Sequence, residues 1–222
     1  MCFGPTASFT ASAVLASIGS VILKNIRAKK EFWFAAFPML FAIHQFIEGL
    51  LWLGIKSGKT EEALHGLTLG YLTIAYGVWP AFCPASAYAI EYDPKRKRIL
   101  RLFMFLGAVT SSYLLFFIFT NPVYTTAVNC SIHYKTFVAD AHAFTVLYVL
   151  VTVLPYFVSS HRSILIFGIP NLIFFIIACF FYRIAFISVW CFFAAILSLT
   201  LYFFLRKLHH QPILPVPGSD KK

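Results

Sequence analysis

Three polar residues sit in the middle of an otherwise apolar stretch. Phe32 to Ile55 reads FWFAAFPMLFAIHQFIEGLLWLGI and carries His44, Gln45 and Glu48. An imidazole and a carboxyl four residues apart share one face of a helix. Ionisable groups at membrane depth cost several kcal/mol, so such a face turns to a partner or a water-filled cavity. On a helix Glu48 lies ~6 Å further along the axis than His44. Two kinds of chemistry fit the pair. Imidazole and carboxylate together ligate divalent metals such as zinc. They also relay protons or bind ions inside membranes. A plain packing role fits as well, with His44 and Gln45 hydrogen-bonded across helices and Glu48 paired with a hydroxyl or protonated.

Further titratable residues cluster elsewhere. His65 heads a later apolar stretch, and His133, Asp140 and His142 fall between Asn121 and Ala143. With His44 and Glu48, Asp140 and His142 complete a candidate divalent-metal set. No short ligand motif of the HExxH kind accompanies them. His44 and His142 are the residues that could serve as haem ligands. Cys2 and Cys130 form a candidate disulfide, with thiolate metal ligation as the rival, while Cys83, Cys179 and Cys191 read as small apolar residues.

These residues have to be positioned by apolar helices. Of the 222 residues, 60% are hydrophobic, 12% are charged and 26 are Phe. Soluble domains run near about 45–50% apolar and about 25% charged. Seven runs are long and apolar enough to cross a bilayer. They are Pro5–Leu23, Phe32–Ile55, Gly66–Ile90, Leu102–Thr120, Ala143–Ser159, Ser163–Tyr182 and Ile184–Leu205. The expected fold is therefore all-α and polytopic. A seven-helix transmembrane domain spans residues 1–208, and a disordered cytoplasmic tail, rich in proline, spans 209–222. The first run is not read as a cleavable signal peptide, since neither a basic leader nor a small-residue cleavage pattern accompanies it.

Charge gives the orientation. Of the Lys and Arg, fourteen fall in one set of inter-span segments and the tail, and only Lys56, Lys59, Lys135 and Arg183 in the other. The positive-inside rule puts the first set in the cytoplasm and the N-terminus outside. Because the basic residues of this +10 chain sit in such short segments, the charge does not imply nucleic-acid binding. Anionic lipid contact is its simpler meaning. Two short likenesses suggest a 3+1+3 parallel repeat of the kind found in transporters. Ala36-Phe37-Pro38-Met39-Leu40 matches Gly168-Ile169-Pro170-Asn171-Leu172, and Val78-Trp79 matches Val189-Trp190.

Several activities lack their residues. The last span holds no lysine for retinal and no late-helix histidine pair. A Gly-rich phosphate loop, a G-x-S-x-G elbow and a Cys-x-x-Cys pair are likewise missing from the sequence.

The opening Met1-Cys2-Phe3-Gly4-Pro5-Thr6-Ala7-Ser8-Phe9 resembles a family of uncharacterised bacterial multi-pass membrane proteins that begin Met-Cys-Phe-Ser-x-Thr-Ala-Ser-Phe. The likeness continues through Ile47-Glu48-Gly49, Trp52 and Trp79-Pro80. It implies a bacterial inner-membrane protein and no particular activity. Gly4 replaces the family's serine, and His44 replaces an expected glutamine, which shifts attention from His44 to Glu48. The leading functional reading is a transporter-like protein for a small solute or ion, with its polar site at Glu48. A membrane-embedded metal enzyme using His44, Glu48, His133, Asp140 and His142 is the second reading. A non-catalytic sensor or assembly factor, docking a partner through its basic loops, is the third.

Overall fold

Prolines and caps start the helices where the sequence places them. Pro5 opens α1 (Pro5–Lys24), where its missing N–H is not needed. Pro38 does the same for α3 (Phe37–Lys56), which follows a 3-10 turn at Lys29–Glu31 and the single-turn α2 (Phe32–Ala35). Thr60 caps α4 (Glu61–Leu72) by accepting from Ala63 N, with Glu61 and Glu62 in the first turn. Asp93 caps α6 (Pro94–Thr120) through Lys95 N and Arg96 N, so this helix begins about two basic turns earlier than its apolar run. The computed structural model describes residues 4–128, 131–138, 141–181 and 186–201; of Ala141, His142, Ser163, Phe186 and Ile187 it describes the backbone alone.

The chain is mostly helical, and among the described residues four helical stretches are long and apolar enough to cross a membrane. These are Pro5–Lys24, Lys29–Lys56, Pro94–Thr120 and Ile164–Phe181. Among the described residues the other three expected runs are made of shorter helical segments. The third is α4, a π-helical stretch at Thr73–Val78, and α5 (Trp79–Ile90) in unbroken succession. The fifth is divided into α7 (Ala141–Val153) and the single turn α8 (Pro155–Val158), since Pro155 cannot donate to a continuing helix. The last two helices are α9 (Arg162–Phe181) and α10 (Phe186–Ser198). The tail, residues 209–222, lies outside the described residues.

The wide departure in the third run has a local cause. Pro80 and Pro84 cannot donate to the carbonyls one turn before them. Neighbouring helices take up carbonyls along this stretch. Tyr148 Oη donates to Ala75 O at 2.6 Å and Ser111 Oγ to Gly77 O at 2.7 Å. Pro80 O, one turn before Pro84, faces Gly107 of α6, where a Cβ would sit only 2.1 Å away. Glycine is required there for the two helices to approach.

One expectation is corrected in part. Within Asn121–Ala143, read as a loop between helices, two antiparallel strands form: β1 (Tyr124–Val128) and β2 (Ser131–Lys135). Tyr124 pairs with Lys135 and Thr126 with His133. The ribbon packs on α3, α4 and α10, and Thr68 Oγ1 lies 2.6 Å from Thr125 Oγ1 at its seam with α4.

α3 is the central helix. In the most apolar window of the Lys29–Lys56 stretch that contains it, 67% of residues are buried, against 28% in each of the other three long stretches. α1 lies along it, with Ser12 Oγ donating to Ala42 O at 2.8 Å. A Cβ on Gly49 would meet the Phe9 ring at 2.8 Å, so the opening motif and the Glu48-Gly49 pair are in contact. The opposite faces of the long helices carry large exposed side chains such as Phe105, Phe116 and Phe180.

Candidate functional site

His44, Gln45 and Glu48 are all buried, at 0%, 0% and 2% exposure. The face they share turns inward, but the two ionisable groups engage different neighbours. His44 Nε2 lies 3.2 Å from Tyr71 O on α4, and its ring stacks on that of Tyr71 at 4.0 Å. Glu48 accepts from Ser188 Oγ of α10 through one oxygen and from Gln45 Nε2 at 3.2 Å through the other. No hydrogen bond joins His44 to Glu48, because His44 Nδ1 is unpaired. No cation among the described residues contributes to the surroundings of the Glu48 carboxyl.

The hairpin completes the site from above. Tyr134 of β2 stacks face to face on Tyr71 at 4.3 Å, so His44, Tyr71 and Tyr134 form one pile of three rings. The hydroxyls of Tyr71 and Tyr134 and the thiol of Cys191 on α10 lie within electrostatic reach of Glu48. Tyr71 Oη is close to Cys191 Sγ and Tyr134 Oη yet makes hydrogen-bond geometry with neither. Gln45 Oε1 and Trp52 Nε1 also lack partners. Buried polar groups in folded proteins are nearly always paired with protein, water or a ligand. Five polar atoms of this layer, belonging to His44, Gln45, Trp52, Tyr71 and Tyr134, make no hydrogen bond with another described residue.

The other expected site residues are placed differently. His65 is exposed on the first turns of α4. His133 lies opposite Thr126 on the ribbon, half-buried, while its neighbours Ile132 and Tyr134 point inward. The alternation of Ser131–Lys135 carries the signal for Tyr134, since every second strand residue faces one side. Asp140, Cys2 and Cys130 lie outside the described residues, as does the side chain of His142. The proposed metal set and disulfide thus fall partly or wholly there. Among the described residues no three His, Cys, Asp or Glu side chains converge as metal ligands. Ser188, Tyr71 and Cys191 escaped the sequence reading because serine, tyrosine and cysteine are ordinary residues in apolar helices, and Tyr134 because it falls in the stretch read as a loop.

A second polar cluster forms at the other end of the bundle. Glu91, at the end of α5, accepts from Tyr92 N at 2.9 Å, Asp93 N at 3.0 Å and Ser160 N at 2.7 Å, and from Ser160 Oγ. Arg96 Nη1 donates to Val158 O at 3.0 Å and Ser159 O at 2.9 Å, and His161 Nε2 lies 2.9 Å from Ile90 O. Burial by itself pushes the Glu91 carboxyl up. The hydrogen bonds from Ser160 and the three backbone N–H groups outweigh it and hold the carboxyl below its ordinary value. The cluster joins the α5–α6 turn to the start of α9. It holds two turns together rather than enclosing a space.

No curated protein and no solved structure matches the chain. Residues 1–213 match the model of a family described as a family of unknown function, DUF6629, and the chain belongs to that family.

Proposed function

We propose that the chain is a seven-span membrane protein, N-terminus outside and C-terminus cytoplasmic, that carries a small solute or ion across the bilayer with Glu48 as its ionisable site. The observation that supports this reading is the setting of Glu48. It is a buried carboxyl in the most enclosed of the four long stretches, held by the neutral donors Ser188 and Gln45 and ringed by unpaired polar atoms. A purely structural carboxyl in lipid is expected to have a cationic partner or fully satisfied neighbours. A carboxyl with neutral partners can exchange a proton, or a cation, without breaking an ion pair.

In this orientation the hairpin lies on the outer side and roofs the site, so a solute enters by displacing Tyr134. The basic turn at the start of α6 lies inside, as the positive-inside rule requires. Trp79 and Trp190, the tryptophans of the two short sequence likenesses, line one common cavity, which is consistent with a 3+1+3 repeat.

Infrared titration in lipid nanodiscs tests the role of Glu48. A carboxylic-acid band that changes with pH in the wild-type protein and is lost in Glu48→Gln supports it. Identical wild-type and Glu48→Gln spectra across the titration would overturn it. Uptake of candidate solutes into proteoliposomes under a pH step, lost in the same variant, then identifies what is carried.

A further inference from the structure

A cavity of about 30 Å³ lies beside the Glu48 layer, bounded by α3, α5, α7, α9 and α10. Its wall is mainly aromatic, with Phe41, Trp79, Tyr156 and Trp190 among its residues. No Lys, Arg, His, Asp or Glu lines it. Two buried polar atoms on the wall make hydrogen-bond geometry with no partner: Trp79 Nε1 and Tyr156 Oη, on residues 4% and 1% exposed, though Tyr156 Oη lies close to Cys83 and Ser86. Trp79 N–H can only donate, and Tyr156 O–H can donate. Asn171 also lines the space, and its Oδ1 already accepts from Trp190 Nε1 at 3.3 Å, so the amide N–H group is what it has to offer. Cys191 belongs to both this wall and the surroundings of Glu48.

We infer that this cavity is a binding site for a small uncharged molecule with an apolar body and one hydrogen-bond acceptor, held by Trp79 N–H and Tyr156 O–H. The uncharged wall disfavours an ion, whose desolvation no lining group would offset. The ring faces cover apolar atoms, and an acceptor between them satisfies Trp79 N–H and gives Tyr156 O–H a well-aligned partner. A cavity needs at least ~10–15 Å³ by this measure to hold a single water, so this one limits the ligand to a few heavy atoms. The site is separate from the ionisable role of Glu48, and its test does not depend on that role.

The probe is acetone, with isobutene as the isosteric hydrocarbon that lacks an acceptor. Protein labelled with ¹⁵N at its four tryptophans, in nanodiscs, reports on each indole N–H by NMR, with Trp79→Phe assigning one signal. Acetone should shift the Trp79 N–H saturably to a hydrogen-bonded position. Isobutene should leave that shift unchanged, and the Trp190 N–H, already bonded to Asn171, should move little. Tyr156→Phe should weaken acetone binding about 2- to 10-fold, the loss of one neutral hydrogen bond. Ala194→Leu, which fills the cavity from α10, should abolish the response in a protein that still unfolds cooperatively. An equal drift of all four indoles, the same shift with isobutene, an unmoved Trp79 signal, or a full response in Ala194→Leu would each overturn the assignment.

Discussion

Glu48 is held by one hydroxyl and one amide, and each bond has its own measurable share. Ser188→Ala removes the hydroxyl and leaves the carboxyl in place. A loss of about 0.5–1.5 kcal/mol is expected for one neutral bond, somewhat more because the partner is an acid. Thermal unfolding in detergent measures it. Glu48→Gln should keep the fold, because an amide fills the same volume and still accepts from Ser188; a variant that fails to insert would show a structural role instead. Tyr134→Phe should change stability by less than about 1 kcal/mol, since its hydroxyl is unpaired while its ring does the stacking. At this scale the sequence was half legible. His44, Gln45 and Glu48 stand out because polar groups are costly at their depth. Their partners Tyr71, Ser188 and Cys191 do not, because such residues pass unnoticed in any apolar helix. The spacing that put His44 and Glu48 on one face was correct, yet one side chain turns to α4 and the other to α10, a divergence that only packing decides.

The third apolar run shows what elements add to residues. Two prolines in α5 open a π-helical stretch upstream, and the chain meets the cost with donors from α6 and α7. Gly107→Ala would drive a Cβ into Pro80 O and force α6 away, so about 1–3 kcal/mol of destabilisation is expected. Gly66→Ala, on the same scale, serves as control because nothing lies near its added Cβ. Two prolines four residues apart in an apolar run are enough to predict a bend. The place of their unsatisfied carbonyls against Ser111, Tyr148 and Gly107 was not legible, because helix periodicity says nothing of which neighbour will face a given turn. The Glu91 cluster makes a pH prediction. Its carboxyl is held below its ordinary value in the folded protein, so its contribution is fully present above the unfolded carboxylate value. That contribution is lost as pH falls through the lower folded value. The stability gap between wild type and Glu91→Gln should therefore narrow on acidification below about pH 4, as melting temperatures across that range would record.

The whole molecule places its two polar clusters at different levels, with the Glu48 layer under the hairpin and the Glu91 cluster at the other end. The proposed orientation assigns the hairpin end to the outside. A fluorescent-protein fusion after the tail should then fluoresce in a bacterial host, and an alkaline phosphatase fusion within 121–143 should be active; the reverse pair of results would invert the topology. Helical class and several apolar helices were plain from composition, because 60% hydrophobic residues with few charges admit little else. The hairpin was hidden because its strands are short and their alternation weak beside the surrounding helices. It packs on α3, α4 and α10 at once. A two-stranded ribbon is at best marginally stable alone, so its order is lent by those three helices, and α10 is the last of them to be synthesised. The roof over Glu48, and the Ser188 bond to its carboxyl, therefore form only at the end of biogenesis. A nascent chain arrested before α10 lacks Ser188 and leaves the acid with Gln45 as its donor.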